Sequence, residues 1–274
     1  IGKGEQCIVK TNLALAHSHE KDKNLILIEE PENHLSHTKL NSLIAQIKNK
    51  KADKQIIIST HSSFVANKLG LENLILVDNK KTKFFRELPP DTYNYFKKLA
   101  GYETLRLILA KKAVLVEGPS DELVFQKLYM QKNDNKLPIE DGIDVISVQS
   151  LAFKRFLDIA NLLEKNVAVI TDNDGDFATN ITNKYNSYFG SKHILISADN
   201  RNELNTLEPQ FFDVNKHDLP KLRSVIGYPS TYTEDQKIID YMINQKTDWA
   251  LKLFEADEVL EYPNYIKTVV DWCN

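Results

Sequence analysis

The sequence predicts an α/β protein built from two successive strand–helix alternations with largely parallel sheets. Three observations carry this. Short apolar runs bounded by polar residues recur at 25–28, 55–59, 113–116 and 167–170, the pattern of buried strands. Between them lie segments with apolar residues at helical spacing, such as Leu35, Leu40, Leu43, Ile44 and Ile47, or Phe153, Phe156, Leu157, Ala160 and Leu163. Pro89-Pro90 breaks the chain where the first alternation ends.

In chain order, the first half is expected to hold a strand at 25–28, a helix at 35–47, a strand at 55–59, a helix at 62–69, and strands at 73–77 and 82–86. A helical stretch at 92–109 follows. The expected organisation is a first domain over 1–90, a helical connector over 91–111 and a second domain over 112–274. The second alternation runs strand 113–116, helix 120–130, strand 144–148, helix 151–163, strand 167–170, helix 177–188 and strand 193–197, then a mainly helical tail after Glu208. The opening Ile1-Gly2-Lys3-Gly4-Glu5-Gln6 lacks a Met and has the character of mid-domain sequence, so the chain is expected to be a fragment or the ordered part of something longer.

Composition narrows the function classes. The 274 residues are 42% hydrophobic and 27% charged with a net charge of −3, enough for two modest cores and without a global basic signal for nucleic acid. Any nucleic-acid binding then rests on local basic patches and bound cations. The two cysteines, Cys7 and Cys273, form no CxxC or Cys/His cluster, which argues against structural zinc and a disulfide framework and for a reducing compartment. No apolar run reaches membrane-span length and no signal peptide is visible, so a soluble, cytoplasmic protein is expected.

The first chemical motif is Leu25-Ile26-Leu27-Ile28-Glu29-Glu30-Pro31-Glu32, an apolar strand that delivers carboxylates at its C-terminal end. Ligands bind at that edge in phosphate-handling α/β folds. One such carboxylate can hold magnesium through water and the next can orient an attacking water. A solvated acidic turn is the competing reading. The next predicted strand ends in Ser59-Thr60-His61-Ser62, where a His can reach a γ-phosphate or simply sit in a helix-cap region.

The second half repeats the theme. Ala113-Val114-Leu115-Val116 leads into Glu117-Gly118-Pro119-Ser120-Asp121, with Gly118 permitting a tight turn and Ser120 able to cap the next helix. Asp121, four residues beyond Glu117, can face the same site. The matching strand at 167–170 is followed by Thr171 and the run Asp172-Asn173-Asp174-Gly175-Asp176. Hard oxygen ligands from two strand ends of one parallel sheet suit Mg²⁺ or Mn²⁺. Such a cluster is unstable without a cation, because neighbouring carboxylates raise each other's pKa. Two bound metals can activate water and stabilise a leaving phosphodiester oxygen. A calcium-binding EF-hand is disfavoured: Gly175 occupies the fourth loop position, not the sixth, and Asn183 the twelfth in place of Glu. An Asx-rich turn is the bland alternative.

The order of motifs in the first half resembles the ABC-type ATPase head of SMC, RecF and OLD (overcoming lysogenization defect) proteins. The resemblance implies that Glu29 is the Walker B acid, Glu30 the catalytic glutamate and His61 the switch histidine, and that Gly4 and Glu5 belong to a signature loop acting across a dimer, with ATP and Mg²⁺ as ligands. The chain departs from the pattern in one respect: it contains no GxxxxGK[ST] loop, so it carries only the C-terminal half of a head and is expected not to hydrolyse ATP alone. The second half resembles the Toprim fold of topoisomerases, primases and OLD nucleases. This implies Glu117 as acid/base and metal ligand, Asp172 and Asp174 as metal ligands, and Asp121 as a further acidic ligand, while Thr171 can offer a hydroxyl to a metal-bound water. Asn205-Thr206-Leu207-Glu208-Pro209 is similar to the OLD "TLEP" segment, which adds Glu208 as a ligand; a helix start capped by Thr206 is the alternative. Lys246-Thr247-Asp248-Trp249-Ala250 is similar to the OLD Lys-x-x-x-Ala helix, whose lysine stabilises charge at the scissile phosphate, with Lys252 a nearby competitor.

The fold expected is thus α/β: half an ABC-type ATPase head plus a Toprim domain with a central parallel sheet. The expected function is metal-dependent DNA cleavage with water as nucleophile, regulated by the ATPase. The resemblance further implies a homodimer or higher homo-oligomer, and anti-phage defence with a possible partner protein or retron nucleic acid. A nucleotide-gated scaffold with an inactive Toprim site and a Toprim ribonuclease are the alternatives. A topoisomerase is disfavoured because none of the eleven tyrosines sits in a recognisable nucleophile motif, and a primase because no nucleotide-binding features accompany the site.

Overall fold

The computed structural model describes residues 2–16, 25–49, 55–78, 81–98, 102–148, 152–229 and 234–274. The chain divides into two compact units, Ile1–Thr104 and Leu105–Asn274.

The first unit runs α1 (Lys3–Ala16), β1 (Leu25–Glu29), α2 (His37–Asn49), β2 (Gln55–Ser59), α3 (Ser63–Leu69), β3 (Ile75–Asp78), β4 (Lys81–Phe84) and α4 (Pro90–Lys98). β1 and β2 pair in parallel, with Leu25 opposite Gln55 and Glu29 opposite Ser59. Their alternate residues Ile26, Ile28, Ile56 and Ile58 pack against Leu43 and Ile47 of α2, the period-2 and period-3.6 patterns meeting in one small core. Acidic β1 and Ser-Thr-His β2 therefore end side by side. α3 starts at Ser62, whose hydroxyl accepts from the Val65 amide at 3.3 Å. Ser62→Ala removes that cap and is expected to lower stability by about 1 kcal/mol, read as a shift of the denaturant midpoint at unchanged slope. β3 and β4 form an antiparallel hairpin apart from the parallel pair; so short a connection cannot make a parallel crossover. The continuous stretch expected at 92–109 is two helices, α4 and α5 (Tyr102–Leu109); residues 99–101 lie outside the described residues.

The second unit continues with β5 (Lys112–Val116), α6 (Pro119–Lys132), β6 (Ile143–Ser147), α7 (Phe153–Leu163), β7 (Asn166–Ile170), β8 (Ile194–Ser197), α8 (Leu207–Asn215), α9 (Leu219–Ile226), α10 (Asp235–Gln245), α11 (Thr247–Glu255) and α12 (Asn264–Cys273). Its four strands are all parallel in the order β6-β5-β7-β8. β5 and β7 are central, which is why Val114, Leu115, Val116, Val167, Ala168 and Val169 are all fully buried and read as continuous apolar runs. Val114, Val116, Ala168 and Ile170 face the larger core, built with Val124, Phe125 and Leu128 of α6 and with the C-terminal helices. The intervening residues turn to the opposite face, where α7 packs on β7 and β8.

The α-helix expected at 177–188 is instead a π-helical turn at Ala178–Asn183 and a 3₁₀ turn at Asn186–Tyr188. Thr179, Asn180, Thr182 and Asn183 crowd this stretch, and their short polar side chains compete for backbone hydrogen bonds.

Candidate functional site

Parallel pairing of β5 with β7 sets Leu115 against Val169, so Glu117 and Thr171-Asp172 leave adjacent strands at one edge. Glu117 Oε1 accepts from Thr171 Oγ1 at 2.6 Å and from the Asp172 amide at 3.0 Å. One carboxylate oxygen thereby joins the ends of β5 and β7. Gly118 is the N-cap of α6, and its amide donates to Asp121 Oδ2 at 3.1 Å, half of a capping box that turns Asp121 back toward the strand end.

The acidic run is held by Asn173, which is wholly buried. Its Nδ2 donates to the carbonyls of Asp199 (2.9 Å), Arg201 (2.9 Å) and Leu204 (3.3 Å), and its Oδ1 accepts from the Gly175 amide at 2.7 Å. Asp174 and Gly175 both adopt positive φ, 50° and 83°, so the chain doubles back immediately after Asp172. The Asp174 amide donates to the Asn205 carbonyl at 3.2 Å. That bond draws the Thr206-Leu207-Glu208 segment to the same edge and puts Glu208 in the first turn of α8. Thr206 occupies the N-cap position with no side-chain cap bond.

These placements bring Glu117, Asp121, Asp172, Asp174 and Glu208 within electrostatic reach of one another. Burial first, then Asp121, Glu117, Glu208 and Asp174, pushes the Asp172 pKa up to about 9. Burial, reinforced by Glu117 and Glu208 and opposed by the Gly118 amide, raises Asp121 to about 7. Asp172 Oδ1 is buried without a hydrogen-bond partner. Among the described residues, no three His, Cys, Asp or Glu side chains stand in a metal-ligand arrangement: Glu117 is turned onto Thr171 and Asp121 onto Gly118. The donor set still fits a hard divalent cation, since it consists of carboxylate oxygens with one orphaned, and a cation would relieve the repulsion that otherwise keeps Asp172 protonated.

Lys246 stands between α10 and α11 with φ 49° and ψ −114°, a backbone region that non-glycine residues rarely use. Ser120 Oγ donates to its carbonyl at 3.5 Å, which places the Lys246 backbone beside the start of α6, one residue from Asp121. Its side chain is exposed. Ala250, the small residue of the Lys-x-x-x-Ala pattern, is fully buried beside Trp249 and Leu253. Lys252 turns to the Tyr241 hydroxyl at 3.4 Å and lies against Gly227.

In the first unit, Glu30 Oε1 and His61 Nε2 are 3.1 Å apart, and Glu30 is at φ 43°. Glu32 Oε1 accepts from Thr60 Oγ1 at 2.6 Å and from the His61 amide at 3.0 Å, so Glu32 orients the end of β2. Glu29 is exposed at the end of β1. Gly4 and Glu5, expected on a loop, lie in the first turn of α1. The loop was implied only by the resemblance to a signature loop; here Gly4 serves close packing, since a Cβ there would meet the His34 carbonyl oxygen. Glu5 reaches Lys39 of α2 at 3.4 Å. A cleft of about 470 Å³ between α1 and β1 is lined by residues including Lys3, Lys10, Glu29, Glu30 and His34.

Several contributors escaped sequence reasoning. Asn173 was visible only as a spacer between two aspartates. Glu32 was part of an acidic run with no role. Tyr185 and Tyr265 are buried, with raised pKa values caused first by burial and then by site carboxylates. Arg201 bridges Asp199 at 2.7 Å and Asp213 at 2.6 Å, bracing the loop on which Asn173 hangs. The carbonyl partners of Asn173 and the partners of Glu32 lie 26 or more residues away, so no local pattern marks these two.

Residues 108–174 match the family model described as overcoming lysogenization defect protein-like, TOPRIM domain, and residues 10–67 match an AAA-domain model whose description refers to the AbiEii toxin of a Type IV TA system. Endonuclease GajA of Bacillus cereus (strain HuB5-5) is 26% identical over 280 residues; the match takes in 84% of this chain but only 38% of GajA. Two solved structures are similar. The C-terminal region of the Burkholderia pseudomallei OLD protein shares 16% identity at a TM-score of 0.45, with 60% of this chain and 96% of that one covered. The corresponding region from Xanthomonas campestris pv. campestris shares 17% at 0.43, with 60% and 94% covered. Among the described residues no helix is long and apolar enough to cross a membrane. By these matches the chain is similar to OLD-family proteins, with a segment like an AAA domain followed by one like the OLD-like Toprim domain.

Proposed function

We propose that this chain is the nuclease-bearing part of a metal-dependent DNA endonuclease governed by an ATPase-like unit. The observation that carries the reading is the gathering of five carboxylates at one sheet edge, with Asp121 and Asp172 at pKa values of about 7 and 9. A site that resists ionisation this strongly suits a cation, and carboxylate oxygens suit Mg²⁺ or Mn²⁺. Glu117, Asp172 and Asp174, with Asp121 and Glu208, would hold the metal, one ion or two. Bound there, the metal supplies an activated water and charge stabilisation at the phosphodiester. Glu117 takes the proton from the attacking water or returns one to the leaving oxygen. Thr171 holds Glu117 in place through its hydroxyl. Lys246, beside the start of α6, neutralises charge developing at the scissile phosphate.

Glu29, Glu30 and His61 form the nucleotide-responsive end of the first unit in this reading. ATP and Mg²⁺ bind productively only when a phosphate-binding loop joins them, so the isolated chain is expected not to turn over ATP. A homo-oligomer, cytoplasmic location and anti-phage defence, alone or with a partner protein or retron nucleic acid, complete the proposal by resemblance to the family.

The test is nicking of supercoiled plasmid by the purified chain. Nicked circles are expected with Mg²⁺ or Mn²⁺ and none with chelator, while a parallel RNA substrate separates DNase from RNase. Intact plasmid under every divalent metal would leave the scaffold reading standing instead.

A further inference from the structure

Among the described residues, the buried polar atoms at the carboxylate edge without partners include Asp172 Oδ1 and the hydroxyls of Tyr185 and Tyr265. Glu117 and Asp174 are the carboxylates that act on Tyr185, whereas Asp172 is the nearest in effect to Tyr265. Tyr265 lies in the first turn of α12 and is only 6% exposed. α12 packs on β7 and β8, and the Tyr265 carbonyl accepts from Ser197 Oγ at 2.9 Å. Ser197 pairs with Ile170, two residues before Asp172. The backbone at Tyr265 is thereby pinned to the end of β8, next to the end of β7, and its hydroxyl is buried from water. Asp172, Asp121, Asp199 and Glu117 all lie within electrostatic reach of that hydroxyl, and a phenol is a hydrogen-bond donor at neutral pH. An unpaired phenol in such surroundings is costly to keep unless it has a partner in the working state.

We propose that Tyr265 is a positioning residue for the metal site, its hydroxyl donating to Asp172 Oδ1, directly or through one buried water, and so aiming the other carboxylate oxygen at the cation. Resting on the metal-site reading above, this gives Asp172 the outer partner that metal-bound carboxylates ordinarily have. The ring itself belongs to the core shared with Val269 and Val270 and is left in place by the conservative variant.

Two measurements on the full chain decide it. In Mn²⁺ titrations followed by calorimetry and by thermal shift, Tyr265→Phe is expected to need about 10-fold more metal, with nicking at saturating Mn²⁺ within about threefold of wild type. A purely structural tyrosine would lower the melting temperature and leave the metal midpoint alone. In metal-free protein, Tyr265→Phe and Asp172→Asn are expected to be non-additive, by about fivefold or more in the unfolding equilibrium constant. An unchanged metal midpoint in a wild type that binds and cuts overturns the role of Tyr265 and leaves the nuclease reading intact. If the wild type neither binds metal nor cuts, the nuclease reading fails, and the metal-free cycle still judges the contact: additivity overturns it.

Discussion

Asp172→Asn is expected to stabilise the metal-free chain and, by the same change, to lower metal-dependent nicking at least about 100-fold. The two effects share one cause. Asp172 titrates near 3.9 when unfolded and at about 9 when folded. Between those values the folded state keeps a proton that the unfolded state has released, so stability is complete below the unfolded pKa and is lost as pH rises through the folded one. Thermal unfolding in chelator should therefore show the wild type losing melting temperature from pH 5 to pH 9. The Asn variant should show a shallower loss and lie several degrees higher at pH 8, at roughly 2–4 °C per kcal/mol. Added Mn²⁺ should raise the wild type and leave the variant nearly unmoved. An equal pH slope in the two proteins, or retained nicking in the variant, would defeat this account of the site. Asn keeps the shape of Asp and removes the charge that a cation needs, so a stabilised but inactive protein is the signature of a residue kept for function.

Asn173→Ala should cost the most stability of any single change at the site, about 3 kcal/mol. Four hydrogen bonds end on this one buried side chain, and removing it takes the side-chain donor from the carbonyls of Asp199 and Arg201 and leaves Leu204 only its bond from Gln210 Nε2. The melting temperature should fall by roughly 10 °C. Nicking should fall too, even below the melting transition, because the turn bearing Asp174 loses its anchor. Asn173→Asp should be no better. It retains an acceptor for Gly175 but offers no donor, and it directs a charge at three carbonyl oxygens. Near-normal stability in either variant would mean that the turn is held elsewhere.

The parts of this molecule that were legible in its sequence share a physical reason. β5 and β7 are covered on both faces, so they had to be unbroken apolar runs, and an acid directly after such a run stands out. That made Glu117, Asp172 and the parallel core readable before any geometry was known. The hairpin character of β3 and β4 was not, because apolar content alone does not give a strand its direction. The stretch after Asp176 departs from the expected helix because closely spaced Thr and Asn residues favour irregular turns. Asn173 and Glu32 act through partners 26 to 31 residues away. Single-chain patterns carry no trace of such pairings.

The central place of β5 and β7 in the four-stranded order also has a kinetic consequence. Amide protons on those two strands can exchange with solvent only when the whole sheet opens, whereas the α10–α11 connection carrying Lys246 can open locally. In hydrogen exchange the site should divide accordingly. Glu117 and Asp172 emerge from a slow-exchanging floor, and Lys246 rides on a fast-exchanging wall. Under the proposed function, the wall would move to admit and release substrate while the floor stays fixed.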